Sequence, residues 1–223
     1  MLKLIDSLKE LNNTTTLTTE DYPSGWNIEE FKKLNSFKSR IDYCRKHLGK
    51  PHSGSSRVVF VIDNEKVLKL AKNNKGIAQN EVEIDLSNDY YIENILAKVF
   101  ECDEKNNLWV EMELARKVTL AIFKSVTGFD FNTYVEAIKK VWETANGRKS
   151  SFKYSVTEDT LEAMYGNDFI SGVFDYVGSY NIPGWGGDLA KLSTYGLVKR
   201  DGKDAIVIID YGLSGEVYDS YYS

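Results

Sequence analysis

Apolar residues recur with two different periods along this chain, and the change of period marks its organisation. Leu2, Ile5, Leu8 and Leu11 repeat at helical spacing and predict a short amphipathic helix ahead of a Thr-rich linker at 12–19. Phe31, Leu34, Phe37, Ile41 and Leu48 fall on one helical stripe that opens at Asn27-Ile28-Glu29-Glu30, a capping-type sequence, and stops at Gly49-Lys50-Pro51. Residues 1–50 are therefore expected to form a helical N-terminal extension. From Val58 the pattern becomes that of strands. Val58-Val59-Phe60-Val61-Ile62 and Lys66-Val67-Leu68-Lys69-Leu70-Ala71 flank a turn at Asp63-Asn64-Glu65 and read as a hairpin. A polar helix over 79–86 and a second hairpin, 95–100 with 108–112 around Asp103 to Asn107, follow. Phe131, Tyr134, Val135, Ile138 and Trp142 make another helical stripe ending at Asn146-Gly147, and 161–180 supplies further helix interrupted near Gly166. After Gly184 the chain returns to strands and closes with a hairpin containing Ala205-Ile206-Val207-Ile208-Ile209-Asp210-Tyr211-Gly212.

Helices, hairpin, helix, hairpin, helices, hairpin is neither a βαβ repeat nor an all-β spacing. The order fits an α+β, two-lobed enzyme, with 1–50 as the extension, 51–115 as a first lobe and 116–223 as a reduced, largely helical second lobe. At 223 residues, 42% hydrophobic and 27% charged, the chain is long enough for one large core or two closely packed ones. Its net charge of −5 argues against nucleic acid or an anionic membrane as the main partner. Cys44 and Cys102 stand far apart with only His47 and His52 for company, which speaks against a zinc site and for a reducing, cytoplasmic compartment. No apolar run approaches the length of a membrane span and the first residues lack a signal-peptide pattern.

The candidate chemistry starts at Asp210. An ionised carboxylate at the end of a β-branched run that reads as buried on both faces needs a cation, a basic partner or a mouth open to water. Alternatively, Asp210-Tyr211-Gly212 is a plain solvated turn. Lys69, mid-strand, is either a snorkelling surface lysine or one held in a cleft by a carboxylate on the following helix, Glu83 or Glu81. Asp188 in Gly184-Trp185-Gly186-Gly187-Asp188 is either the N-cap of a short helix or a group that orients an attacking hydroxyl.

Taken together, Gly54-Ser55-Ser56-Arg57-Val58-Val59-Phe60, Val67-Leu68-Lys69-Leu70, Glu83, Gly187-Asp188-Leu189 and Asp210-Tyr211-Gly212 resemble, in order, the ATP-site elements of the protein-kinase-like fold. The loop around Asp188 is most similar to that of aminoglycoside-phosphotransferase-like kinases. Lys75-Gly76-Ile77-Ala78-Gln79-Asn80 is similar to a stretch in uncharacterised kinase-like proteins of tailed bacteriophages, for which a host cytoplasm would be the compartment. The resemblance covers about residues 50–223 and implies ATP and Mg²⁺ as cofactors. It implies Lys69 and Glu83 as the phosphate-orienting pair, and Asp188 as the group that receives the acceptor's proton. Asp210, with Ser193, would ligate the metal. Gly54, Ser55 and Ser56 would cradle phosphate, and Glu111, Met112 and Glu113 would line the adenine slot. Arg57 either assists at the phosphates or faces solvent.

The departures are specific. Ser193 stands where the family carries a metal-binding Asn, no His precedes Gly187, and Gly54 is the one glycine of the loop. Leu213 to Ser223 follow the Asp210 turn where peptide kinases carry a long activation segment, and Tyr218, Tyr221 and Tyr222 make this tail look packed or interfacial. The expected function is an atypical phosphotransferase, or nucleotidyl transferase on the same fold, with a small-molecule or protein acceptor. The alternative is a pseudokinase that keeps nucleotide binding as an interaction module.

Overall fold

The computed structural model describes residues 23–148, 153–183 and 187–222. The helix expected over Leu2 to Leu11 and its linker lie outside these residues. The described chain divides into two compact units, one running to Asp85 and including Lys98–Ala115, the other comprising Leu86–Ala97 and Arg116–Ser223. Among the described residues no helix is long and apolar enough to cross a membrane.

The first unit is an antiparallel sheet with helices. Its strands are β1 (His52–Ser53), β2 (Arg57–Val61), β3 (Lys66–Ala71), β4 (Val99–Cys102) and β5 (Trp109–Glu113), in the order β1-β2-β3-β5-β4. Both hairpin turns are built by aspartates. Asp63 Oδ1 accepts from the Glu65 and Lys66 amides at 2.7 and 2.8 Å, and Asp103 Oδ1 accepts from those of Lys105 and Asn106. The second hairpin begins later than its apolar residues suggest, because Ile95 belongs to a short 3-10 turn, Glu93–Ile95, of the other unit.

Alternation along the strands decides which side chains face which layer. Val58, Phe60, Ile62, Leu68, Leu70 and Trp109 point to one face and form a core with Trp26, Phe31 and Cys44 from the N-terminal helices. Those helices share the sheet's core rather than extending from it. They are also two, α1 (Ile28–Lys32) and α2 (Phe37–Leu48), where the apolar stripe reads as one. Asn27 caps α1 through bonds from the Glu29 and Glu30 amides. Ser36 then opens α2 with a reciprocal bond to Ser39, and such a cap holds its residue out of helical conformation. The opposite parity, Arg57, Val59, Val61, Val67 and Lys69, belongs to the other face of the sheet.

Helix α3 (Asn74–Ser87) starts five residues before the expected 79–86 and buries a stripe that is polar: Gly76, Gln79, Asn80 and Glu83. A Cβ at Gly76 would lie 2.3 Å from the Ser56 carbonyl oxygen, so only glycine lets the helix approach β2 this closely.

The second unit combines helices α4 (Leu120–Thr127), α5 (Phe131–Ala145), α6 (Glu158–Tyr165) and α7 (Asp168–Ser179) with a small sheet of β6 (Arg116–Lys117), β7 (Tyr195–Arg200) and β8 (Lys203–Ile208). Phe131, Tyr134, Ile138 and Trp142 bury the α5 stripe, whereas Val135 is half-exposed and Ala137 takes the inner position. Asp201 and Gly202, at φ 50° and 76°, join β7 to β8 in a two-residue turn whose left-handed positions match strand twist. Ile206, Val207 and Ile208 are buried in succession, as expected for a strand covered on both faces. A final helix, α8 (Gly215–Tyr221), carries the terminal tyrosines. Of the packed or interfacial tail expected, the packed alternative does not hold: Tyr218, Tyr221 and Tyr222 are 42–44% exposed, with Tyr218 stacked on Tyr222, because residues spaced three and four apart share the outer side of a one-sided helix.

Candidate functional site

In the first unit the structure brings Lys69, Glu83 and Arg57 together. Lys69 projects from the middle of β3 and Glu83 from the buried stripe of α3, with Nζ 2.8 Å from Oε1. Arg57, at the start of β2, places Nη1 2.7 Å from the other carboxylate oxygen, Oε2. Glu83 is fully buried and both cations are at most 9% exposed at the side chain. The choice left open in the sequence is thereby made: Glu81, two residues away, falls on the exposed side of α3. Burial pushes the Glu83 carboxyl upward, but the charges of Arg57 and Lys69 outweigh it and hold the group below the ordinary carboxylate range. A buried carboxylate with a cation on each oxygen is a rigid, ionised anchor.

The loop ahead of β2 is less open to a phosphate than its residues suggest. The Gly54 amide closes a tight turn on the Arg57 carbonyl, and Lys72 Nζ lies 2.8 Å from the Gly54 carbonyl oxygen. Ser55 is exposed, but Ser56 is buried and its hydroxyl donates to Gln79 Oε1 at 2.5 Å. The Ser56 side chain thus ties the residue before β2 to α3. Lys72, which the sequence reading passed over, supplies the positive charge at this loop.

Glu111, Met112 and Glu113 all lie on β5. β5 lies between β3 and β4 and pairs with both. Glu111 has the parity of Trp109, opposite to Lys69, and its carboxylate meets Lys66 at 2.8 Å. Met112 is buried beside Val67, and Glu113 binds the Lys98 amide through its side chain and the Lys98 carbonyl through its own amide.

In the second unit Asp188 lies on a 3-10 turn, Gly187–Ala190, followed by a second one, Leu192–Thr194, that contains Ser193. This loop is fastened from behind. The Thr194 hydroxyl donates to the Asp188 carbonyl at 2.7 Å, and the fully buried Tyr195 hydroxyl donates to the Leu189 carbonyl at 2.7 Å. Tyr134 completes the chain with its hydroxyl 3.0 Å from that of Tyr195, inside a cluster with Phe123 and Phe131. Burial raises the pKa of both tyrosines, so they remain donors.

Asp210 follows β8 on the same frame, since the Ile209 amide donates to the Thr194 carbonyl at 2.8 Å. Tyr211 is buried, with its hydroxyl on the Ala97 carbonyl, and leaves Asp210 half-buried beside it. Lys191 bonds Asp188 Oδ1 at 2.5 Å. That bond, and then the charges of Asp188 and Asp210, hold its ammonium above the usual lysine range. Lys191 is thus a second basic residue that the sequence reading missed; its i, i+3 spacing from Asp188 was the available signal.

The donor set restricts which metal would suit this unit. Among the described residues no three His, Cys, Asp or Glu side chains converge. A carboxylate such as Asp210 is compatible with Mg²⁺, which keeps several waters and takes substrate phosphate oxygens as ligands.

No family model matches the chain, and no curated protein matches it. Among solved structures, the ternary complex of streptomycin, ATP and APH(2'')-IIa is similar over 80% of this chain and 71% of that one, at 11% identity and a TM-score of 0.32. The gentamicin complex of APH(2'')-IIa has the same coverage and TM-score at 12% identity. ADP-bound aminoglycoside phosphotransferase APH(2'')-Ib is similar over 79% of this chain and 69% of that one, at 12% identity and a TM-score of 0.31.

Proposed function

We propose that the protein is an atypical kinase-like phosphotransferase that uses ATP and Mg²⁺. The observation that carries this reading is the buried Lys69–Glu83 pair, a strand lysine fixed by a helix carboxylate and backed by Arg57. Such a pair is costly to bury, and a soluble protein has little structural use for it that apolar residues would not serve as well. Orienting a phosphate chain is a use that requires it.

In this reading Lys69 binds the α- and β-phosphates, with Glu83 setting the direction of its ammonium. Lys72 and the exposed Ser55 meet the phosphates from the loop. Asp210 and Ser193 hold the metal, and Mg²⁺, when bound, supplies positive charge against the phosphate oxygens being transferred. Asp188 accepts the proton of the attacking hydroxyl through its carboxylate. Thr194 and Tyr195 hold the Asp188 loop by its carbonyls, so the carboxylate is presented without further ordering. The reducing cytoplasm suits the two thiols: Cys44 is buried, with its pKa raised to about 12 by that burial.

Asp188 favours a second reading as well. Its Oδ1 is taken by Lys191, and a neutral hydroxyl, Ser193, stands in the place of a stronger metal ligand. A nucleotide-binding module without transfer would tolerate both. Thermal shift with ATP and Mg²⁺ separates these readings from a plain α+β protein. Stabilisation that requires metal and disappears in Lys69→Ala and Asp210→Asn is expected, and no shift in the wild type would remove both. Transfer of labelled phosphate to any hydroxyl acceptor then supports the enzyme, and tight binding without turnover supports the module.

A further inference from the structure

Arg57 is the member of the buried cluster that phosphate orientation by Lys69 and Glu83 does not call for. It shares a face of the sheet with Lys69: in the β2–β3 register Arg57 lies opposite Ala71 and Val59 opposite Lys69. The two cations divide one carboxylate, Lys69 on Oε1 and Arg57 on Oε2.

The surroundings hold the arginine through more than Glu83. Arg57 Nη1 also reaches Asn80 Oδ1 at 3.4 Å, and the Asn80 amide donates to the Asn107 carbonyl at 2.8 Å, in the turn between β4 and β5. One residue earlier on each element, Ser56 donates to Gln79. Arg57 thus stands in a frame that joins β2, α3 and a distant turn. Its planar guanidinium holds a carboxylate with less loss of side-chain freedom than an ammonium does. Lys69 has a flexible stem and a compact charge that can turn.

This asymmetry bears on phosphate binding. If Glu83 depended on Lys69 alone, every turn of the ammonium toward a phosphate would loosen the only compensation of a dehydrated carboxylate, and that cost would oppose binding. With Arg57 on the second oxygen, Glu83 stays ionised and in place while Lys69 divides its bonds. We propose that Arg57 is a positioning residue: the standing counter-ion of Glu83 that releases Lys69 to engage the nucleotide phosphates. The proposal rests on the phosphate role of Lys69 given above.

The test is a cycle of Arg57→Met, Lys69→Met and Glu83→Gln, read by urea midpoint and by calorimetry with ATP and Mg²⁺. Lys69→Met is expected to stay folded, because Arg57 still meets Glu83. Removing both cations should lower the midpoint by more than the sum of the single changes, and adding Glu83→Gln should restore most of the loss. Arg57→Met should weaken ATP binding about tenfold, the scale of one charge-assisted hydrogen bond, and Arg57→Lys should recover much of it. In the Glu83→Gln background the same Arg57→Met change should alter ATP affinity by less than about twofold, since no charge remains to be held. A tenfold loss that persists there would mean that Arg57 touches phosphate itself and would overturn the proposal. Simple additivity of the stability losses would overturn it too. If the wild type binds no ATP, the phosphate role of Lys69 falls and the release of Lys69 falls with it. The urea cycle alone then still decides whether Arg57 is the counter-ion of Glu83.

Discussion

The two charged centres of this protein differ in how water reaches them. In the first unit Glu83, Lys69 and Arg57 are dehydrated and bound to one another, so each is part of the folding energy. In the second, Asp188 and Lys191 are 31% and 66% exposed at the side chain, and order comes from behind, through carbonyls held by Thr194 and Tyr195. A buried centre has a fixed geometry and tolerates little change. A wet one can exchange partners, which a carboxylate that receives a proton or a metal must do.

The sharpest break in this comparison is Glu83→Ala. Leaving two buried cations without their carboxylate should cost about 3–5 kcal/mol, read from urea unfolding. A loss below about 1 kcal/mol would show that the centre is wetter than described. Acid probes the same group. The folded-state pKa of Glu83 is depressed, so the stability it contributes is present above the unfolded value of about 4.3 and is lost as pH falls through the folded one. As pH falls below about 4.3, thermal stability should therefore decline more steeply in the wild type than in Glu83→Gln.

Gly76→Ala tests the close approach that lets α3 deliver Glu83. With a Cβ 2.3 Å from the Ser56 carbonyl oxygen, helix or strand must shift, at about 1–3 kcal/mol. Tyr195→Phe strips the Leu189 carbonyl of its donor at a similar or lower cost, about 1–3 kcal/mol. If the loop matters for chemistry and not for binding, phosphate transfer by Tyr195→Phe should fall well below wild type at unchanged ATP affinity. The smallest stability effect belongs to Lys191→Ala, under about 1 kcal/mol because its ion pair is open to water. A larger loss would erase the contrast between the centres.

The sequence was most legible where apolar residues set the pattern. The β2–β3 hairpin, the stripe of α5 and the break near Gly166 follow from spacing and turn chemistry alone. It was least legible at α3, whose buried face is Gly76, Gln79, Asn80 and Glu83. Hydrophobic periodicity cannot mark a polar stripe, and the partners that make its burial tolerable, Ser56, Arg57 and Lys69, come from other elements. Ser36 broke one expected helix into two because a local cap outweighed a continuous apolar stripe. The Ser56 hydroxyl and the Glu111 carboxylate, which meet Gln79 and Lys66, share a lesson: a residue type announces what it can bind, while its neighbours in space supply the partners.

By itself the sequence determined the elements and the candidate charges, because strand alternation, helix stripes and turn residues act within a few positions of one another. It named Lys69, Asp188 and Asp210 as charges that needed an explanation. Only the tertiary structure decided that Glu83 and not Glu81 meets Lys69, that Arg57 shares the carboxylate, and that Lys191 stands by Asp188 and Asp210. Helix phase, strand parity and desolvation set those outcomes, and each depends on packing between segments that the linear order does not join.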